Sequence, residues 1–213
     1  TLIEHGIRQI GFYENGFRNV TNSVRPIHTP EDLAGLTIRT PENPAQVETF
    51  KALGANPRAM SFSELYTALA QGVVDGQENP LQNIFSGSLY EVQDHLAMTH
   101  HIYNSAYVII SERFWQSIPA SDRQILKDCI NRSSRWQLDY MTKRDQELEI
   151  ELKEKGMQFT YPDKSMFEKA ARPAYDALCG DLGPEAWEIV TQIREHRLAD
   201  GAVAALVERR VVH

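Results

Sequence analysis

The first 110 residues alternate short apolar runs with short amphipathic stretches, the grammar of an α/β chain. Ile7–Tyr13 predicts a strand closed by a turn at Glu14-Asn15-Gly16, and Phe17–Thr21 predicts a second strand. Thr29-Pro30-Glu31-Asp32 reads as a helix start, with Thr29 as the cap, proline at the first helical position and acids in the first turn. Gly35 stops that helix and Leu36–Thr40 returns as a strand. Pro44–Leu53 places Val47, Phe50 and Leu53 on one helical face, ended by Gly54. Pro57–Met60 predicts a short strand, and Ser61 or Ser63 caps a helix whose Leu65, Leu69 and Val73 form a stripe. Val74–Asn79 reads as strand and loop, Pro80 opens another helix, and Tyr103–Ser111 is an apolar strand expected to be buried at Ala106–Ile110.

After Pro119 the pattern changes. From Ser121-Asp122 a helical pattern runs to Lys155 without glycine or proline. At 1.5 Å per residue this is roughly 50 Å, more than one small lobe can span. Ile125, Cys129, Trp136 and Tyr140, with Leu126 and Ile130, are expected to form its buried face. Lys143–Lys155 alternates in charge, as a solvated face would. Gly156 ends the helix, Met157–Tyr161 predicts a strand, and helices are expected over Asp163–Leu182 and Pro184–Asp200. Thr1–Gly6 reads as the frayed end of a helix feeding the first strand, and the apolar tail Ala202–Val212 as a segment able to pack. No repeat or low-complexity linker divides the chain, so two lobes would be joined by more than one crossing.

A length of 213 residues permits one substantial domain or two small lobes. A formal charge of −7 argues against nucleic acid as a partner, while a local arginine cluster could still hold a small anion. No apolar run approaches the ~18 residues of a membrane span, so no direct membrane insertion is expected. Cys129 and Cys179 lack any CxxC spacing and read as two buried free thiols in preference to a disulfide.

The stretch Gly16–Pro80 carries the most information. Gly16-Phe17-Arg18, Arg25-Pro26-Ile27, Pro30-Glu31-Asp32-Leu33 and Gly35-Leu36-Thr37-Ile38-Arg39 follow one another, then Ala52-Leu53-Gly54-Ala55-Asn56-Pro57 and Phe62-Ser63-Glu64-Leu65-Tyr66. Gly72-Val73-Val74-Asp75-Gly76-Gln77-Glu78-Asn79-Pro80 is the most specific. In order and spacing these motifs resemble the dicarboxylate-binding (DctP-like) solute-binding proteins of TRAP (tripartite ATP-independent periplasmic) transporters. The likeness continues through Tyr90-Glu91-Val92, Thr99-His100-His101 and the long helix.

The resemblance implies a two-lobed α/β fold of the periplasmic-binding-protein kind, with the long helix crossing both lobes and the N-terminal part of the first lobe absent. It divides the chain into a crossover at 1–14, a ligand-clamping lobe at 15–102, a return with the start of the long helix at 103–135, and the remainder at 136–213. It implies a periplasmic receptor that captures a small organic acid and delivers it to membrane subunits, with no cofactor and no catalytic residue. A leader peptide would lie upstream of this chain.

Arg39 is expected to clamp the carboxylate. It ends a strand, where side chains of open α/β sheets meet a crevice, and its planar fork matches a carboxylate with two parallel hydrogen bonds. Arg18 is the second cation, and Asn79 supplies an amide that both donates and accepts. Glu78 is expected to orient Arg39 or another neighbour, Phe62 to cover the ligand, and Glu42 and Asn43 to reach its hydroxyls. Arg58-Ala59 departs from the family pattern. His95, His100 and His101 lack the spacing of a metal site.

The expected ligand is a uronate or aldonate, a C4 dicarboxylate or a 2-keto acid, and Glu42 favours the sugar acid. Two other readings share the composition. A ligand-sensing domain of a signalling receptor would continue into a membrane span. An α/β hydrolase would need a GxSxG elbow or a nucleophile with a placed base, and the chain has neither motif.

Overall fold

Two long strands organise the fold. In the computed structural model, which describes residues 2–184 together with 187, 188, 191 and 192, β1 (Ile7–Asn22) and β5 (His95–Ser111) pair antiparallel. Their inner halves belong to a six-stranded sheet in the order β3-β2-β4-β1-β5-β6, with β2 (Thr37–Thr40), β3 (Asn56–Ala59), β4 (Gly76–Asn79) and β6 (Gln158–Thr160). β2 runs parallel to β3 and β4, β4 antiparallel to β1, and β6 parallel to β5. The outer halves pair only with each other and leave the sheet as a two-stranded ribbon.

The expected turn at Glu14–Gly16 is a bulge within continuous β1. The register shifts between Glu14 and Gly16, and Gly16 adopts φ 103°. The residues that favour a turn are those that let a strand take an extra residue, so sequence alone does not separate the two. A larger irregularity lies further along. Arg18 pairs with Ile102 but Val20 with Ala97, so Met98–His101 of β5 lie opposite Asn19 alone, with His100 at φ 46°.

Helices cover both faces of the sheet. On one, α2 (Phe62–Ala70), α3 (Leu81–Ser86) and the C-terminal part of α5 (Ala120–Glu154) bury Leu65, Leu69, Ile84, Leu148 and Leu152 with Leu96 and Met98 of β5. On the other, Val20, Ile38 and Ala97 pack with Ile27, Leu33, Phe50 of α1 (Pro44–Ala52) and Phe167 of α6 (Lys164–Ala170). Ser61 is the α2 cap and forms a capping box with Glu64. Asn43 caps α1 by accepting from the Ala45 amide at 2.9 Å.

The long helix forms where expected, but its buried face differs. Ile125, Trp136 and Tyr140 are 61%, 65% and 48% exposed, and Cys129 is exposed as well. The inward stripe runs through Leu126, Ile130, Gln137, Met141, Leu148 and Leu152. Polar residues interrupt it because they bond to the ribbon, which hides its period. Ser133 Oγ lies 2.8 Å from the Tyr13 hydroxyl, and Gln137 exchanges two hydrogen bonds of 2.7 Å with the Glu14 backbone. Leu148 and Leu152, in the stretch expected to be solvated, have no exposed surface.

Three further expectations meet the structure differently. Ala106–Ile110 is a strand but not buried, with Tyr107 62% and Ile109 56% exposed, because no described layer covers that face of the ribbon. α4 (Glu112–Ser117) follows β5 and buries Trp115. Asp163–Leu182 is two helices, α6 and α7 (Arg172–Leu182), broken at Ala171 with Pro173 in the first turn of α7. Cys179 is buried as expected while Cys129 is not, and both are free. The expected helix Pro184–Asp200 and the tail Ala202–Val212 lie largely or wholly outside the described residues. Among the described residues no helix is long and apolar enough to cross a membrane.

Candidate ligand-binding site

The sheet order sets β2, β4 and β1 side by side, which brings Arg39, Glu78, Asn79 and Arg18 together. Arg18 Nε donates to Glu78 Oε2 at 2.5 Å, and its Nη2 donates to Glu78 Oε1 at 2.8 Å, to the Glu78 carbonyl at 2.6 Å and to Asn79 Oδ1 at 3.1 Å. Glu78 also accepts from Gln46 Nε2 at 3.3 Å and meets His101 Nε2 at 3.1 Å. His101 is held in turn by Thr99, whose hydroxyl lies 2.7 Å from Nδ1. Glu78 is wholly buried, and burial works to raise its pKa. Hydrogen bonds from His101 and Arg18, with their charge, outweigh burial and hold the carboxyl below its ordinary range.

Arg39 is buried too, at 2% exposure, but no carboxylate bonds to it. Its Nε and Nη2 both donate to the Met60 carbonyl, at 3.0 and 2.7 Å. Burial lowers its pKa, the charge of Glu78 opposes that and the charge of Arg18 adds to it. A guanidinium remains protonated through such a shift, so Arg39 carries a buried positive charge compensated only at a distance. Asn79 is fixed from the other side: Nδ2 donates to Gln77 Oε1 at 2.5 Å, Gln77 to Thr21 Oγ1 at 2.8 Å, and Thr21 to Gln93 Oε1 at 2.8 Å.

The remaining expected residues stand apart from this cluster. Phe62 opens α2 two residues beyond Met60 and is 46% exposed. Glu42 and Asn43, on the loop between β2 and α1, make no hydrogen bond to either arginine. Glu42 borders an open cleft of about 580 Å³ with Arg58 and Glu64, and Asn43 borders a cavity of about 530 Å³ with Gln46, His100, His101 and Lys164. Glu78 orients Arg18 and not Arg39. His101, Gln46 and Thr99 were missed as members of the site. The Thr99-His100-His101 motif was the available signal, but only a bulge in β5 turns His101 toward Glu78, and a bulge is not legible in spacing.

A buried carboxylate holds one arginine, and beside it a second buried arginine bonds only to a main-chain carbonyl, an arrangement chemically suited to receiving an anion. Residues 1–180 match the family described as DctP, bacterial extracellular solute-binding protein, family 7, and the chain belongs to that family. It is 39% identical over 176 residues to the sialic acid-binding periplasmic protein SiaP of Vibrio cholerae, covering 83% of this chain and 54% of that protein. Among solved structures, a TRAP periplasmic solute-binding protein from Sulfitobacter sp. NAS-14.1 with bound β-D-galacturonate superposes with a TM-score of 0.86 at 30% identity, over 91% of this chain and 64% of that one. One from Polaromonas sp. JS666 bound to D-erythronate gives 0.82 at 37% identity, over 87% and 61%. The chain spans about half the length of the curated relatives it matches.

Proposed function

We propose that this chain is the anion-clamping part of a periplasmic receptor that captures a small organic acid and passes it to the membrane subunits of a TRAP-type transporter. It acts by binding and not by catalysis. Arg39 takes the carboxylate through its fork, Arg18 and Asn79 hold the adjoining atoms, and Phe62 covers the ligand. Glu42 and Asn43 meet hydroxyls, while Glu78 positions Arg18. Residues 15–102 form the clamping lobe, 1–14 cross to it from the other lobe, 103–135 return to that other lobe with the start of the long helix, and the rest of that helix with β6 comes back to the clamping lobe. Closure of the lobes around the anion would exclude water and strengthen each of these bonds.

The observation that carries this reading is the charge count around the buried cluster. Glu78 neutralises Arg18, which leaves Arg39 as one unmatched positive charge. One unmatched charge suits a monocarboxylate with a hydroxylated remainder, a uronate or aldonate, better than a C4 dicarboxylate. The relatives with bound galacturonate and erythronate are consistent with that choice.

A thermal-shift screen of the whole protein against about a hundred organic acids tests it, since any ligand of the native state raises the melting point by mass action. Sugar monoacids should give the largest shifts. A shift confined to dicarboxylates would overturn the charge count, and silence from a folded protein would overturn the receptor reading.

A further inference from the structure

Helices in this chain end in a regular way, and α3 departs from it. α1, α2 and α5 are capped by Leu53, Gln71 and Lys155, each near φ −80° and ψ 0°. A glycine follows each cap in the left-handed conformation, Gly54 at φ 84°, Gly72 at 67° and Gly156 at 99°. α3 is capped by Gly87 itself, at φ −85° and ψ 3°, and the left-handed residue after it is Ser88, at φ 52°. Gly87 thus holds a conformation that leucine, glutamine and lysine hold elsewhere. Backbone rotation does not account for a glycine here.

Space does. A Cβ on Gly87 would lie 3.2 Å from Phe62 Cζ, 3.0 Å from the Asn83 carbonyl oxygen and 3.4 Å from Leu89 Cγ. Two of these neighbours are fixed. The Asn83 carbonyl already accepts the Gly87 N–H at 3.0 Å, and Leu89 is buried in the same core as Leu81 and Ile84 of α3. The third can yield, because Phe62 opens α2 and is half-exposed. The other end of this turn also reaches the site, where Asn83 Nδ2 donates to Asn79 Oδ1 at 3.4 Å. One turn of α3 therefore touches both the amide and the aromatic ring assigned to the ligand.

We infer that Gly87 is the seat of the Phe62 ring and thereby a positioning residue for ligand binding, an inference that rests on the reading of Phe62 as the ligand's cover. The ring tip fills the volume that a side chain at residue 87 would need. A larger residue there lifts the ring from α3 by a few tenths of an ångström, while Arg39 and Asn79 stay fixed in the sheet. The fit of the cover over the clamp is then set by a residue that does not touch the ligand.

A double-mutant cycle on the whole protein tests this. Without ligand, Gly87→Ala should lower the melting point by about 3 °C, and by less than about 1 °C when Phe62 is also alanine. With D-galacturonate, D-glucuronate and D-erythronate as probes, Gly87→Ala should weaken the tightest of them about fivefold when Phe62 is present, and leave it unchanged in the Phe62→Ala background. An equal loss in both backgrounds overturns the inference, since a merely structural glycine would act without regard to the ring. Phe62→Ala with undiminished affinity would overturn the cover reading instead, and the ligand-free melts tell the two failures apart. Should Gly87→Ala not fold alone, recovery in the Phe62→Ala background supports the seat, and failure there refutes it by assigning the space to Asn83 and Leu89.

Discussion

Glu78 Oε2 accepts from Arg18 Nε at 2.5 Å and lies 3.1 Å from His101 Nε2, so one oxygen ties the β5 bulge to the arginine of β1. Gln46 adds a contact from α1 to the other oxygen, at 3.3 Å. Four elements thus meet at one buried carboxylate, and its loss would leave Arg18 charged, dry and unpaired.

Glu78→Gln is therefore expected to destabilise the protein by about 3–5 kcal/mol, the range for breaking a buried ion pair on one side. Urea unfolding checks it. The same carboxyl predicts an acid limb. Its native pKa is lowered, so its contribution is present above the ordinary glutamate value of 4.5 and is lost as pH falls through the native value. Stability measured from pH 7 down to pH 3 should fall less steeply in Glu78→Gln than in the wild type.

Arg39→Ala should weaken binding of the acid found by screening on the order of 100-fold, with Arg39→Lys recovering only part, because an ammonium cannot reproduce the parallel fork. Calorimetry on the whole protein measures both. Unchanged affinity in Arg39→Ala would remove this residue from the carboxylate clamp.

Gly76 separates close packing from backbone conformation. A Cβ there would sit 2.2 Å from the Thr21 carbonyl oxygen and 2.8 Å from Asn22 Cβ, forcing β4 away from β1. Gly76→Ala should cost on the order of 3 kcal/mol and displace Glu78 and Asn79 with the strand. Gly35, at φ 78° with nothing within 4 Å of its Cβ position, should lose only about 1 kcal/mol on the same change. Paired thermal melts compare them.

His100 should titrate near pH 4 and not near its ordinary 6.5, because burial disfavours its charged form and the nearby Lys164 and His101 charges add to that, against Glu149. Imidazole NMR resonances followed from pH 3 to 8 report the midpoint directly. A midpoint near 6.5 would show that the ring is more solvated than its place in the β5 bulge implies.

The sequence is most readable where one residue type answers one physical demand. Ser61 and Asn43 are caps, Gly54 and Gly156 end helices, and the run from Gly76 to Asn79 is a strand carrying the site's carboxylate and amide. Reading failed where polar residues face inward. Ser133 and Gln137 on α5 look solvated until the ribbon supplies Tyr13 and Glu14 as partners, so the apolar positions alone point beyond Leu126 and Ile130 to the exposed Trp136 and Tyr140. The motif Thr99-His100-His101 names His101 but not its partner, since the contact with Glu78 depends on four residues of β5 facing one residue of β1. Hydrophobic period reports which side of an element is apolar, and not which side meets a neighbour.

The unmatched guanidinium of Arg39 has a consequence for any affinity measured on the whole protein. A buried cation fixed on a single carbonyl attracts whatever small anion the medium offers, so an incoming acid would exchange with a counter-ion at Arg39 and would not fill an empty site. Apparent affinity would then depend on the competing anion. Acetate or formate buffer should weaken it relative to a zwitterionic buffer at equal ionic strength, and an acid carried through purification would mask the true ligand until it is exchanged away.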